Sequence, residues 1–134
     1  DQPLARGAAA YESTCRGRGL TLRRADSGTG PLGPWTLWTS DAPADELQRA
    51  ACFIEESSPL GRLLDIDVAC GDGLLGRASL GLSPRPCVVC GEPAVVCAGR
   101  VAHGAGSVEA AFAAYSGAQQ APIILDLRTG APSA

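Results

Sequence analysis

The sequence predicts an α+β fold: one small domain with a mixed or antiparallel sheet, two or three helices and a Cys/His-rich loop. Three observations predict it. Apolar residues recur at helical spacing in two separate stretches, as in Leu47, Ala50, Ala51 and Ile54. Short β-branched or alternating stretches lie between them, such as Trp35-Thr36-Leu37-Trp38 and residues 63–69. The two kinds of element do not alternate regularly, which disfavours a parallel α/β sheet.

In chain order, residues 4–19 are rich in Ala and Arg and read as a helix that stops at Gly17 or Gly19. Thr21-Leu22-Arg23 reads as a short strand, and residues 27–34, with three Gly and two Pro, as a loop. Trp35-Thr36-Leu37-Trp38 is a strand whose indoles fill core or sheet surface. Asp41 suits an N-cap with Pro43 in the first turn of the helix that buries Leu47, Ala50, Ala51 and Ile54. Pro59 and Gly61 end that helix. Residues 63–69 alternate as a strand, Gly71-Asp72-Gly73 turns, and Leu74-Leu75 returns as a hairpin partner. Residues 81–106 read as loop. Val108, Ala111, Phe112 and Tyr115 then repeat at helical spacing behind Ser107 as N-cap, and residues 122–134 form a tail with one apolar run, Ile123-Ile124-Leu125. The domain is expected over 1–121 and the tail over 122–134.

At 134 residues the chain suits one domain with a buried core. With 46% hydrophobic and 19% charged residues it reads as globular, not disordered. A net charge of -3 argues against a nucleic-acid binder. All 11 basic residues are Arg, and biased codon usage is the plain cause. No stretch has the ~18 apolar residues of a membrane span, and the first residues lack a signal-peptide profile. Met is absent even at position 1, so the chain is expected to be processed or part of a longer one. Six cysteines without a signal peptide point to a cytoplasmic protein with reduced thiols or a metal site.

The most informative residues are Gly61-Arg62-Leu63-Leu64-Asp65-Ile66-Asp67-Val68. On an extended backbone Leu64, Ile66 and Val68 face one way, and Asp65 and Asp67 the other, roughly 6.5–7 Å apart. Two like charges on one face repel, and Asp is a poor strand former. A Mg²⁺ held by both carboxylates and by substrate phosphates would explain the arrangement. The plain alternative is a surface strand with both Asp in water. Arg62, Arg77 and Arg85 surround the pair in sequence, and guanidinium groups bind phosphate oxygens in bidentate fashion. Carboxylates for a metal with arginines for phosphate suit a phosphoryl- or nucleotidyl-transfer site. For each single Arg the plain alternative is a solvated side chain or surface ion pair.

Cys87-Val88-Val89-Cys90, then Cys97 and His103, give a Cys₃His set, a usual ligand set for structural Zn²⁺. Packed reduced thiols and a redox pair are the competing readings, and His103 could instead contact phosphate or act as a base.

Taken in order, Ser58-Pro59-Leu60-Gly61-Arg62-Leu63-Leu64-Asp65-Ile66-Asp67-Val68, then Arg77, then Leu80-Gly81-Leu82-Ser83-Pro84-Arg85-Pro86-Cys87-Val88-Val89-Cys90, then Ala94-Val95-Val96-Cys97-Ala98 and His103, resemble a known family. It is the citrate lyase holo-acyl-carrier-protein synthase family (CitX), the apo-citrate lyase phosphoribosyl-dephospho-CoA transferases. Weaker similarity extends back toward residue 4. The chain departs from the family at Arg77-Ala78, where paired Arg is usual, at Ser79, and at Gly99 before Arg100, and the family's N-terminal segment is expected to be missing from it.

The resemblance implies a cytoplasmic nucleotidyltransferase-type enzyme. A serine hydroxyl of the apo acyl carrier subunit of citrate lyase would attack triphosphoribosyl-dephospho-CoA, releasing pyrophosphate. Asp65 and Asp67 would hold Mg²⁺, and Arg62, Arg77, Arg85 and His103 would contact substrate, with Arg62 also counted as catalytic. Cys87, Cys90, Cys97 and His103 would form a structural, possible Zn²⁺, element near the site. No nucleic acid or membrane partner is implied. Two rival readings stay open: the same chemistry on the malonate decarboxylase carrier subunit, and a non-catalytic zinc-binding module that recruits a carrier protein.

Overall fold

The structure, a computed structural model, describes residues 3–31, 33–71, 73–118, 125–126 and 131–132. It is α+β, with four helices and short antiparallel ribbons.

Helix α1 (Pro3–Gly17) buries Gly7, Ala8, Tyr11, Thr14 and Cys15, one face of a 3.6-residue period. Its end is a Schellman turn. Gly19 takes φ 73°, its N–H donates to Arg16 O, and the Leu20 N–H donates to Cys15 O at 2.8 Å. Strands β1 (Arg23–Gly30) and β2 (Gly33–Thr39) then pair as an antiparallel hairpin. This corrects both the short strand at 21–23 and the loop at 27–34. The Gly- and Pro-rich stretch is mostly ladder, and it looked like loop because β1 carries almost no apolar residue and faces solvent. Trp38 is partly buried and meets Tyr11 edge-on at 5.4 Å. Its Nε1 donates to Glu12 at 2.7 Å, which ties the hairpin to α1. Trp35 does not fill the core: it is 43% exposed and its indole packs across Gly28 on the paired strand.

Helix α2 (Ala44–Ser57) buries Leu47, Ala50, Ala51 and Ile54 as the spacing predicts, and adds Gln48, Cys52 and Glu55. Pro43, not Asp41, occupies the N-cap position. Asp41 is exposed and its carboxylate instead accepts from Arg23 at 3.1 Å. Tyr11 Oη donates to Leu47 O at 3.1 Å, so α1 and α2 share one core with Leu20, Leu64 and Val68. Burial raises the Tyr11 pKa well above the usual phenol value.

A 3₁₀ turn, Pro59–Leu63, follows α2, with the Ser58 side chain accepting from the Gly61 N–H. Residues 64–68 are not a paired strand. They do alternate, with Leu64 and Val68 buried and Asp65 and Asp67 exposed. Among the described residues no assigned strand pairs with them: Val68 O accepts from the Leu75 N–H at 2.8 Å, where the next hairpin begins, and the Ile66 N–H goes to a side chain, Glu55 Oε1, at 2.8 Å. The period-2 pattern therefore records which way side chains face, not a sheet ladder. Strands β3 (Ala69–Cys70) and β4 (Gly73–Leu74) form the expected hairpin; Asp72 at its turn lies outside the described residues.

The stretch expected to be loop contains α3 (Ala94–Arg100) behind Pro93. α4 (Ala105–Ala118) begins two residues before Ser107, so Ser107 is not its N-cap. Proline density hid α3, although Pro93 sits at its N-terminal boundary, where proline is well tolerated. In the tail, β5 (Leu125–Asp126) pairs with β6 (Ala131–Pro132); Ile123 and Ile124 lie outside the described residues.

Gly61 marks the closest approach between the 3₁₀ turn and α2. A Cβ there would collide with Ile54 O and come within 2.6 Å of Glu55 O. Gly61→Ala is expected to cost about 3 kcal/mol through this overpacking. Urea unfolding would show it as a lower midpoint with an unchanged slope.

Candidate functional site

Glu55, near the end of α2, is the side chain around which the site is assembled. It is 5% exposed, yet carries a carboxylate into the core boundary. Arg77 Nη2 donates to its Oε2 at 2.6 Å, Arg85 Nη1 stands 3.5 Å from its Oε1, and the Ile66 N–H takes the same oxygen. Burial disfavours charge on Arg77, but its bonds to Glu55 and Glu56 more than offset this, so its guanidinium pKa is raised. The Arg77 side chain is only 11% exposed.

Each expected site residue can be placed. Asp65 and Asp67 share the outer side of the 64–68 segment, and the Asp65 side chain is 81% exposed. Arg85 Nη1 also donates to Asp65 Oδ1 at 3.3 Å, so one guanidinium spans a buried and an exposed carboxylate. Arg62 donates from Nη2 to Pro86 O at 2.7 Å. In return Arg85 Nη2 donates to Arg62 O at 3.1 Å. The structure thus brings Asp65, Arg85, Arg62 and Arg77 into one connected set.

Asp65 and Asp67 also line a cavity of about 590 Å³ between α1, β2 and residues 63–69. Tyr11, Leu64 and Val68 line it from the core, and Trp35 and Leu37 from β2. Gly7 keeps α1 close to this wall, because a Cβ would overlap Leu64. Two exposed carboxylates beside a cavity and an arginine fit Mg²⁺, which is usually held by one or two carboxylates together with phosphates and water.

The four expected soft ligands also converge. One ligand atom from each of Cys87, Cys90, Cys97 and His103 lies within 4.8 Å of the others. Cys90 and Cys97 Sγ are 3.5 Å apart, far longer than a disulfide, and all six cysteines are free. The edge of a tetrahedral zinc–sulfur site is of similar length, given bonds near ~2.3 Å. His103 Nε2 is buried with no hydrogen-bond partner. An orphaned imidazole nitrogen beside three thiols fits a metal such as zinc better than it fits packed thiols.

Local backbone chemistry builds this cluster. Gly91 takes φ 80° and its N–H donates to Cys87 O, folding Cys90 back toward Cys87. The N–H groups of Cys90 and Val89 point at Cys87 and draw its thiol down to about 7. Its hydrogen-bonding neighbour Cys90 pushes Cys97 up to about 12. Val101 then closes α3 at φ 48°, ψ 48°, with the Ala102 N–H on Cys97 O at 3.0 Å. A β-branched residue rarely adopts that conformation, and here it turns the chain back so that His103 meets Cys97.

Glu55 is the residue that sequence reasoning missed. Its signal was a second stripe on α2, Gln48, Cys52 and Glu55 at i, i+4 and i+7, running beside the apolar one. Glu55→Gln is expected to destabilise by about 3 kcal/mol, because it leaves buried arginine charge uncompensated. Chemical denaturation would read the loss, whereas Glu56→Gln, at the exposed end of the same network, should change little.

A family model described as "apo-citrate lyase phosphoribosyl-dephospho-CoA transferase" matches residues 4–116. Proteins of that name from Escherichia coli O139:H28 and Shigella boydii serotype 18 are each 43% identical to this chain over 72 residues. The aligned stretch is 53% of this chain and 39% of each relative, so the chain spans well under half of the curated relatives it matches. With 113 consecutive residues under one family model, the chain belongs to the apo-citrate lyase phosphoribosyl-dephospho-CoA transferase family.

Proposed function

We propose that this chain transfers a phosphoribosyl-dephospho-CoA group from triphosphoribosyl-dephospho-CoA to a serine of the apo acyl carrier subunit of citrate lyase. The serine hydroxyl gives up its proton to solvent and its oxygen forms the new bond to phosphorus, the bond to the terminal two phosphates breaks, and pyrophosphate leaves. The observation that carries the reading is Arg85 spanning buried Glu55 and exposed Asp65 beside Asp67 and the cavity.

In this reading Asp65 and Asp67 would hold Mg²⁺. That ion, when bound, neutralises phosphate charge and supports the attacking and leaving oxygens. Arg85 and Arg62 neutralise the triphosphate, and electrostatic support of this kind is often the largest contribution to such transfers. Arg77 adds positive charge from behind Glu55 and pairs with that buried carboxylate. His103 faces the cysteine cluster, where its contribution is as a metal ligand. Zinc is the ion proposed for that cluster, in a structural role. The arginine-lined face would also suit an acidic carrier protein. Among the described residues no helix is long and apolar enough to cross a membrane, and we place the reaction in the cytoplasm.

The test is the intact mass of the apo carrier subunit after incubation with this protein, the triphosphoribosyl donor and Mg²⁺. A gain equal to the prosthetic group is expected, and it should fall at least about 100-fold in rate with Asp67→Asn, as for loss of a main transition-state contact. No gain on the citrate lyase carrier would sink the assignment.

Zinc uptake should depend on pH in a defined sense. Thiolates bind zinc, so bound thiol protons must leave. Near pH 8 Cys87, with its pKa at about 7, has already lost its proton, whereas at pH 6 it has not. Calorimetry in buffers of different ionisation enthalpy should therefore register more protons released per zinc at pH 6 than at pH 8, and weaker binding at pH 6.

A further inference from the structure

The cysteine cluster and the arginine set are joined by backbone, not merely adjacent. Residues 85–94 form a closed loop: the Ala94 N–H donates to Arg85 O at 2.8 Å, the Cys87 N–H to Glu92 O at 2.6 Å, and Pro86 bridges Pro93. Cys87 and Cys90 lie on this loop, while Cys97 sits on α3 and His103 beyond it. Only turns and one isolated bridge organise the loop internally. Four ligands from three pieces of chain would bind it to α3.

The two ends of the arginine tie fall next to the first ligand. Arg62 donates to Pro86 O, one residue before Cys87, and Arg85 donates back to Arg62 O. Each arginine thus holds the backbone beside the other across more than 20 residues of sequence. A shift of the Cys87 backbone moves Pro86 O and the Arg85 Cα together. Both anchors of the guanidinium pair then change at once.

We infer that metal in the Cys87, Cys90, Cys97 and His103 centre sets the positions of Arg62 and Arg85 and so controls phosphate binding. The inference rests on the proposed zinc centre and on the proposed phosphate role of the arginines. With metal bound, the loop is clamped and the two guanidinium groups are held for phosphate oxygens. Without it, the loop is held only by its two backbone bonds and the Pro86–Pro93 bridge, and the guanidinium pair is positioned less firmly. Because the coupling is an equilibrium one, phosphate must tighten metal binding by the same factor.

Inorganic phosphate is a suitable probe, read through the arginine Nε–H signals in NMR titrations of the whole chain. Zinc-loaded protein is compared with protein stripped by a chelator and with stripped protein given zinc again. Far-UV circular dichroism checks that the helices persist. Phosphate affinity is expected to be about 10-fold higher in the loaded and reloaded forms, within the usual range for coupled sites. Arg62→Gln should abolish the difference, and Cys70→Ser, outside the cluster, should keep it.

Equal affinities in the two forms, with one zinc bound in the loaded one, would overturn the coupling while leaving the transfer reaction to its own assay. Failure of the stripped protein to take up zinc again, or loss of any arginine response to phosphate in the loaded form, would overturn it as well.

Discussion

The architecture of the site depends on one buried negative charge. Taking a carboxylate out of water is costly unless opposite charge and hydrogen-bond donors replace the lost hydration. Glu55 receives two guanidinium groups and a backbone N–H. Those three partners come from sequence positions 11 to 30 residues further on. The demand for compensation at a single point of α2 therefore gathers the carboxylate segment, the Arg77 turn and the Arg85 loop around it. A hydrophobic residue at 55 would be compatible with the core, but Arg77 and Arg85 would lose the one carboxylate they share.

That gathering works because α2 and the 3₁₀ turn meet backbone to backbone. Gly61 lets the turn lie against the final carbonyls of α2, and Ser58 caps it, so residue 62 leaves in a fixed direction. Leu64 then plugs into α1 opposite Gly7, and the alternation that follows leaves Asp65 and Asp67 outside. The placement of the acidic pair is thus the outward half of a pattern whose inward half is ordinary core packing.

Much of this was legible in the sequence and some was not, for physical reasons. The α2 face and the outward Asp pair follow from periodicity, which reports burial directly. The Cys₃His set followed from ligand type and spacing. The β1–β2 hairpin was hidden because a solvent-exposed ribbon needs no apolar alternation, and its Gly and Pro residues imitate a loop. α3 was hidden by the prolines that precede it. Glu55 could not be identified because a charged residue on a helix is usually solvated, and its burial depends on partners that only the tertiary fold delivers. Residues 64–68 show the opposite error, where a correct facing pattern suggested a ladder that the described residues do not form.

Val101 carries a different kind of message. Most helix ends of its type use glycine, and a β-branched side chain in that conformation costs roughly 1–3 kcal/mol. The cost falls between Cys97 and His103, on the segment that must stay bent for both to face one point. A glycine at 101 would remove that cost and, with it, the local constraint that keeps Cys97 and His103 facing one point.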